Sequence, residues 1–325
     1  MSSSVSRRNF IASLGAAAVA STLPVNALAG ILQPSLYPPV DLSYFDRPLT
    51  SAPADIRFGY AAITWNGNDE QAIKDISEIG FRGIQLRSNI LKEYGDRPKA
   101  LRDLLDQHHL EMVALSSGGV VINSGIEADE IAKHVANATF VHGVGGRYLQ
   151  VTDSARPKNR QPEAADFKQL GRILTEIGKQ TADLGVPLGY HNHMASLGES
   201  PAEVDAIMSE SDQRYVKLEL DVAHYQQGLG DPAKAIRQYG NRLLFLHIKD
   251  VESLATPDDR GRVYRFVELG RGKVDLPAVF AALKDVSFRG WAVIELDSVT
   301  DKSRGPKESA LMSKKYVEEK LGMKI

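Results

Sequence analysis

From residue 56 onward, short apolar runs alternate with stretches that carry apolar residues at helical spacing. The runs that read as strands are Arg57–Thr64, Gly83–Arg87, Glu111–Ser116, Tyr148–Thr152, Pro187–His193, Val216–Val222, Leu243–Lys249 and Ala292–Leu296. The helical patterns between them include Asp69–Ile79, Lys99–His108, Glu127–Val141, Asp166–Leu184, Pro201–Ser209, Pro232–Gln238 and Leu276–Lys284. Strands that alternate with helices pair in parallel, and eight such units close naturally into a barrel. The sequence therefore predicts an α/β fold consisting of a single (β/α)8 TIM barrel.

A doubly wound open sheet is the alternative architecture for alternating strands and helices. That fold carries a glycine-rich phosphate-binding turn after its first strand, with the spacing G-x-G-x-x-G. Residues 64–68 read TWNGN and lack this spacing. The closed barrel is therefore the preferred interpretation.

The N-terminal segment has the features of an export signal rather than of a folded element. Arg7 and Arg8 form a twin-arginine pair ahead of a mildly apolar run, and residues 27–29 read ALA, so the segment resembles a Tat export signal. We expect a signal peptide over residues 1–29, an N-terminal arm over 30–54 and the barrel over 55–325. The apolar run is shorter than the roughly 20 residues of a membrane span. We therefore expect a periplasmic protein that meets the Tat translocase during export and has no stable membrane anchor.

Composition limits the possible chemistry. The chain of 325 residues contains no cysteine and has a net charge of −2. Disulfides, thiolate metal sites and cysteine nucleophiles are excluded, so any metal must be held by His, Asp or Glu. A slightly acidic chain also lacks the basic surface that nucleic-acid binding requires.

Polar side chains gather at the carboxyl ends of the last four barrel strands, where a parallel barrel carries its active site. Residues i and i+2 of a strand share a face, and each of these ends presents two polar residues at that spacing: His191 and His193, Glu219 and Asp221, His247 and Lys249, Glu295 and Asp297. Each residue alone has an ordinary alternative role as a hydrogen-bonded core residue or a helix cap. Together, two His, an Asp and a Glu favour a site for one divalent metal, with Mn expected and Mg, Co or Zn as alternatives.

Five sequence blocks resemble one known family. They begin at Tyr190, Glu219, His247, Gly270 and Gly290 and read YHNH, ELDVAH, HIKD, GRGKVD and GWAVIE. Together they resemble the sugar phosphate isomerase/epimerase group of xylose-isomerase-like TIM barrels, whose relatives include inosose dehydratases and ketose 3-epimerases. The resemblance covers about residues 56–320.

The resemblance implies metal ligands and one departure from them. Asp221, His247 and Glu295 match three of the metal ligands of the ketose epimerases, and His224 matches a histidine that contacts substrate. The family's first Glu ligand is absent. His191 most nearly occupies its place, and His193 remains an alternative.

The absence of the first Glu favours a reaction with one base over the mechanism of the epimerases, in which two carboxylates exchange protons. Glu295 or a His would remove a proton next to a carbonyl, and a His or Lys249 would then protonate carbon or a leaving oxygen. The residues expected to be catalytic are Glu295, His193, His224 and Lys249, and those expected to bind substrate are Trp65, Glu219 and Arg271. The expected enzyme is an isomerase or lyase acting on a keto-sugar, a 3-keto-glycoside or an inosose. The segment Glu252–Phe266 is either a surface loop or a lid that contributes an Arg.

Two other functions compete with this hypothesis. An exported sugar-binding protein without catalysis would need no metal ligands. A metal-dependent hydrolase of the apurinic-site endonuclease type would need a basic face, and Gln85 stands where that class commonly has an acid. A homodimer is also a possible assembly.

Overall fold

The structure, a computed structural model, describes residues 54–122, 125–153 and 156–325. The expected signal peptide and arm lie outside these ranges, except for Ala54. None of the helices in the described ranges combines the length and apolarity that a membrane crossing needs.

Eight parallel strands form a closed barrel, which confirms the predicted (β/α)8 fold. They are β1 (Asp55–Ala61), β2 (Gly83–Arg87), β3 (Glu111–Val120), β4 (Tyr148–Asp153), β5 (Leu188–His191), β6 (Val216–Asp221), β7 (Leu243–Ile248) and β10 (Arg289–Ile294). Neighbours along the chain are neighbours in the barrel, and β10 closes it by pairing with both β7 and β1. All eight carboxyl ends therefore meet at one mouth.

Helices return the chain from each strand to the next. They are α1 (Asp69–Ile79), α2 (Leu91–Tyr94), α3 (Pro98–Gln107), α4 (Glu127–Val144), α5 (Ala164–Asp183), α6 (Pro201–Glu210), α7 (Val222–Gln227), α8 (Pro232–Tyr239), α9 (Leu276–Asp285) and α10 (Pro306–Lys320). Seven of them match predicted helical patterns. The helices α2 and α7 are too short to show a helical period, and α10 was not anticipated.

The segment between β7 and α9 differs from both sequence expectations. Strands β8 (Asp250–Ser253) and β9 (Tyr264–Val267) pair antiparallel as a separate two-stranded sheet. Arg265 and Arg262 of this hairpin form ion pairs with Glu252 and Asp258 of the same hairpin. The hairpin instead directs Phe266 toward the mouth, where its ring lies 4.8 Å from the His224 ring.

Bulky side chains fill the interior of the barrel below the mouth. Phe245, Trp291, Val113 and Val293 belong to one buried cluster there. Gly83 lies against it, and a Cβ at this glycine would come within 2.3 Å of the Trp291 ring. Among the described residues this close packing fills the barrel below the mouth, and active sites of such barrels lie at the mouth.

Candidate metal centre and active site

The four residues expected to bind metal lie together at the mouth. His191 and Asp221 end β5 and β6, His247 lies one residue before the end of β7, and Glu295 directly follows β10. Asp221 pairs with His247 in the register of β6 and β7, which places their side chains on the same face. All four are buried, with at most 8% of any of them exposed.

Their ligand atoms converge at short range. His247 Nδ1 lies 3.6 Å from Asp221 Oδ2 and 3.5 Å from Glu295 Oε1. His191, Asp221 and His247 each offer one nitrogen or oxygen atom, and these atoms lie within 4.8 Å of one another. Such a set of nitrogen and oxygen donors suits a borderline divalent cation.

Three of these atoms have no hydrogen-bond partner among the described residues. They are His191 Nδ1, Asp221 Oδ2 and His247 Nδ1. A buried polar atom without a partner costs about 1–3 kcal/mol, and a cation between the three would satisfy all of them. The donor set therefore fits a divalent metal.

Neighbouring residues fix the orientation of these ligands. His247 Nε2 lies 2.7 Å from Gln85 Oε1 and 2.7 Å from Glu219 Oε1. Both are acceptors, so Nε2 carries a proton and Nδ1 is the atom that faces the other ligands. Asp221 Oδ1 accepts hydrogen bonds from the backbone N–H groups of Ala223 and His224, which caps α7 and leaves Oδ2 free. Such outer contacts commonly orient metal ligands.

Burial and neighbouring charges shift the pKa values of His247, Glu219 and His191. Burial alone would lower the pKa of His247, but the carboxylates of Glu219 and Glu295 outweigh it and raise that pKa well above its usual range. Burial raises the pKa of Glu219 to about 7, although His247 opposes this. Burial lowers the pKa of His191 well below its usual range, so His191 is neutral and keeps a lone pair for a ligand. A bound cation would displace the Nδ1 proton of His247.

Lys249 supplies a buried cation beside these ligands. Its Nζ lies 2.8 Å from Glu295 Oε1, 2.5 Å from Asp297 Oδ1 and 3.8 Å from Asp221 Oδ2. Burial alone would lower the pKa of Lys249, but these carboxylates outweigh it and raise that pKa. The Nζ also lies 4.1 Å from the centre of the Phe266 ring. Lys249 is therefore enclosed, and its contacts keep it charged.

His193 and His224 lie beside His191 and form a second group of possible ligand atoms with it. His224 Nδ1 accepts a hydrogen bond from the Met194 N–H at 3.1 Å. Burial lowers the pKa of His224 well below its usual range, so the ring is neutral and its proton sits on Nε2. That atom has no lone pair for a metal, which favours the group of His191, Asp221 and His247.

His193 is a half-buried residue at the mouth. Its Nδ1 lies 2.6 Å from the carbonyl oxygen of Met194. A contact this short requires a proton on Nδ1, so Nε2 of a neutral ring carries the lone pair. The ring is therefore prepared to accept a proton.

A cavity of about 250 Å³, here called the central cavity, opens above the ligands. His191, His193, His247, Glu295 and Asp297 line it. Further lining residues were not anticipated from the sequence: Gln85, Arg87, Ser116, Gln150, Thr152 and Asp153. The same i, i+2 spacing at the ends of β2 and β4 would have found four of these six.

Three residues expected to bind substrate lie elsewhere. Trp65 is buried in the core, and its indole N–H donates to Asp75 Oδ2 at 2.8 Å, so it cannot stack on a sugar in the central cavity. Arg271 lies in a separate pocket beside Glu268. Glu219 is fully buried behind His247. None of the three lines the central cavity, because side-chain packing directs each residue away from it.

Comparisons with known proteins agree with this architecture. The family model described as xylose isomerase-like TIM barrel matches residues 73–316. An inosose dehydratase of Lacticaseibacillus casei is 24% identical over 293 residues, which span 81% of this chain and 96% of that protein. The rhizopine catabolism protein MocC of Rhizobium meliloti is 26% identical over 271 residues, which span 74% of this chain and 82% of that protein.

Solved structures show the same fold. A crystal structure of the IOLI protein with a bound zinc atom matches with a TM-score of 0.67 and 18% identity, over 81% of this chain and 97% of that chain. A structure of L-ribulose 3-epimerase matches with a TM-score of 0.65 and 16% identity, over 82% of this chain and 95% of that chain.

Proposed function

Because this chain belongs to the xylose isomerase-like TIM barrel family, we propose that it is a divalent-metal-dependent lyase or isomerase of oxidised, uncharged carbohydrates. Its substrate class is a keto-sugar, a 3-keto-glycoside or an inosose. The observation that carries the proposal is the set of unpartnered ligand atoms of His191, Asp221 and His247 beneath a polar cavity. Glu295 completes the proposed ligand set.

The charge of the central cavity supports an uncharged substrate. Asp153, Glu295 and Asp297 line it, and among the described lining residues Arg87 is the one Lys or Arg. Among these lining side chains a phosphate group would meet three carboxylates and one cation, before any bound metal is counted. An expected periplasmic location agrees with this choice, since phosphorylated sugars are largely cytoplasmic.

The geometry favours His193 as the base. Glu295 Oε1 already accepts a hydrogen bond from Lys249 and faces His247. Burial raises the pKa of Glu295, but His247 and Lys249 outweigh it and lower that pKa, which makes this carboxylate a weak base. His193 has a free Nε2 at the cavity wall.

His193 Nε2 would remove the proton from the carbon next to the substrate carbonyl. The imidazolium formed would then return this proton to the hydroxyl leaving from the β-carbon, which departs as water. In an isomerisation it would return the proton to the former carbonyl carbon, while the hydroxyl proton of the neighbouring carbon passes to the former carbonyl oxygen. A divalent ion held by His191, Asp221, His247 and Glu295 would supply Lewis-acid stabilisation of the negative charge on the carbonyl oxygen. Lys249 would hold Glu295 in place and ionised.

The test compares purified, metal-loaded wild type with His193→Asn. The Asn amide can still donate to the Met194 carbonyl, but it offers no base. We expect the variant to keep its metal and to lose solvent deuterium exchange on keto-sugars, 3-keto-glycosides or inososes by about 100-fold or more. His142→Asn, the same change on the exposed surface of α4, is the matched control.

Three results would contradict the proposal. Deuterium exchange by His193→Asn at the wild-type rate would exclude His193 as the base. Wild-type protein that binds no Mn, Co or Zn would exclude the metal centre. Metal-loaded protein that exchanges no compound of the panel would exclude the enzymatic function.

A further inference from the structure

A second, larger cavity adjoins the mouth on the side of β1 and β2. It has a volume of about 600 Å³ and is here called the outer cleft. Residues 66–70 and 87–90 form most of its walls, and its polar groups include Asn66, Asn68, Asn89, Asp69 and Glu70. Amide and carboxylate groups of this kind hydrogen-bond well to sugar hydroxyls.

Arg87 lines both the outer cleft and the central cavity. It ends β2, two residues after Gln85, which contacts His247. The Arg87 side chain is exposed and makes no hydrogen bond or ion pair with any described residue. A guanidinium group with free donors therefore stands where the two cavities join.

The walls of the outer cleft are held in position relative to the proposed active site. Thr64 Oγ1 donates to the backbone oxygen of Leu296 at 2.6 Å, which ties the turn before Asn66 to the residue after Glu295. Across the cleft, Asn89 Nδ2 donates to Asp69 Oδ2 at 2.5 Å. The cleft is thus a preformed feature, as binding sites usually are.

Fixed segments lie beside the central cavity on two sides. Phe266 of the hairpin covers Lys249 and His224 on one side. On another side, Asp153 accepts hydrogen bonds from the backbone N–H groups of Leu197 and Gly198, which holds that loop in place. At about 250 Å³, the central cavity is smaller than the roughly 300–1,000 Å³ of pockets for larger ligands. Because Arg87 lines both cavities, a substituent on a bound sugar ring has a route past Arg87 into the outer cleft.

We propose that the outer cleft is a second sugar subsite, so that the preferred substrate is a keto-disaccharide or another keto-glycoside. The oxidised ring occupies the central cavity, and its glycosidic partner lies across Arg87 among the amide side chains. The inference rests on the proposed function, which leaves open whether the keto-sugar is free or glycosidic.

The experiment compares a 3-keto-gluco-disaccharide, the corresponding methyl 3-keto-glucoside and free 3-keto-glucose on metal-loaded protein. We expect kcat/KM to be highest for the disaccharide, through a lower KM. Arg87→Ala and Asn66→Gly should each reduce this preference, Arg87→Ala by about tenfold or more because a bond to a charged donor is lost. Asn66 has a φ of 52°, so glycine removes its side chain without backbone strain.

Matched controls lie at the opposite end of the barrel. Arg82→Ala makes the same change in an exposed arginine just before β2, and His109→Gly makes the same type of change at an exposed residue with a φ of 54°. Both should keep the wild-type preference. Equal KM values for all three compounds in wild type, or an unchanged preference in Arg87→Ala and Asn66→Gly, would overturn the inference.

A binding assay separates this inference from the proposed activity. If no keto compound reacts, calorimetry with unoxidised gluco-disaccharides and glucose still tests the subsite. Tighter binding of a disaccharide, weakened by Arg87→Ala, would support the cleft while the activity fails. Equal affinities, or no binding of a disaccharide at millimolar concentration, would overturn the subsite itself.

Discussion

The two carboxylate oxygens of Asp221 have different roles: one caps α7 and the other is a proposed metal ligand. Asp221→Asn should keep the first role and remove the second. Oδ1 accepts the backbone hydrogen bonds that cap α7, whereas Oδ2 has no partner and faces His247 Nδ1. Asn can keep the capping oxygen and replaces the other with an NH2 group, which cannot bind a metal. We expect this variant to fold but to lose the proposed metal centre.

The expected effect follows from linkage between binding and folding. A metal present at 100 times its dissociation constant stabilises the folded state by about 2.7 kcal/mol. In a domain of this size, 1 kcal/mol corresponds to roughly 2 °C in Tm, so metal should raise the Tm of wild type by about 5 °C. Asp221→Asn should show almost no rise. Without metal, Asp221→Ala should melt roughly 2 °C below Asp221→Asn, because the lost cap costs about 1 kcal/mol.

The assay is calorimetric melting after chelation and after reloading with Mn, Co or Zn, combined with measurement of the metal content. Asp231→Asn is the matched control, because Asp231 caps α8 in the same way but is exposed at the surface. It should respond to metal like wild type. An equal rise in Asp221→Asn and wild type would refute the assignment of Oδ2 as a ligand.

Three further predictions concern the scaffold. Trp65→Phe should lower the free energy of unfolding in urea by about 1–3 kcal/mol, because it removes the buried bond to Asp75; a raised KM with unchanged stability would contradict the core position of Trp65. Gly272→Ala should lower stability by roughly 1–3 kcal/mol, measured as Tm, because a Cβ there would lie 2.2 Å from Asp250 Oδ1. Burial lowers the pKa of His134 to about 4, so the unfolded chain binds more protons below pH 6.5 and stability falls as the pH approaches 4. His134 alone should contribute roughly 2 kcal/mol to the loss of stability from pH 7 to 5 in urea unfolding, and His134→Gln should reduce the loss by about that amount; an equal slope in both proteins would contradict it.

Much of the candidate site follows from local sequence rules. Alternation along a strand and the common direction of parallel strands bring His191, Asp221, His247 and Glu295 to the same end of the barrel. The same rules place Gln85 and Arg87 at this end of the barrel. An amide or an arginine at a strand end does not, however, by itself predict a functional site. Their importance became visible only when Gln85 was seen to contact His247 and Arg87 to join two cavities.

Two residues expected to bind substrate lie away from the central cavity because contacts between distant segments fix their positions. Trp65 follows β1 directly, but Asp75 of α1 fixes its indole in the core. Arg271 belongs to a loop whose path is set by Asp250, which accepts hydrogen bonds from the backbone N–H groups of Gly270, Gly272 and Val274. This anchoring directs Arg271 toward a separate pocket.

The sequence by itself determined the barrel and the end at which its polar residues meet, because periodicity and strand direction are local properties of a chain. The tertiary structure decided which atoms face one another. Oδ2 of Asp221 is free only because Oδ1 is used by α7, and Nδ1 of His247 faces the other ligands only because Gln85 and Glu219, from different strands, lie at Nε2. Such assignments depend on hydrogen-bond geometry between residues far apart in sequence, which no local pattern encodes.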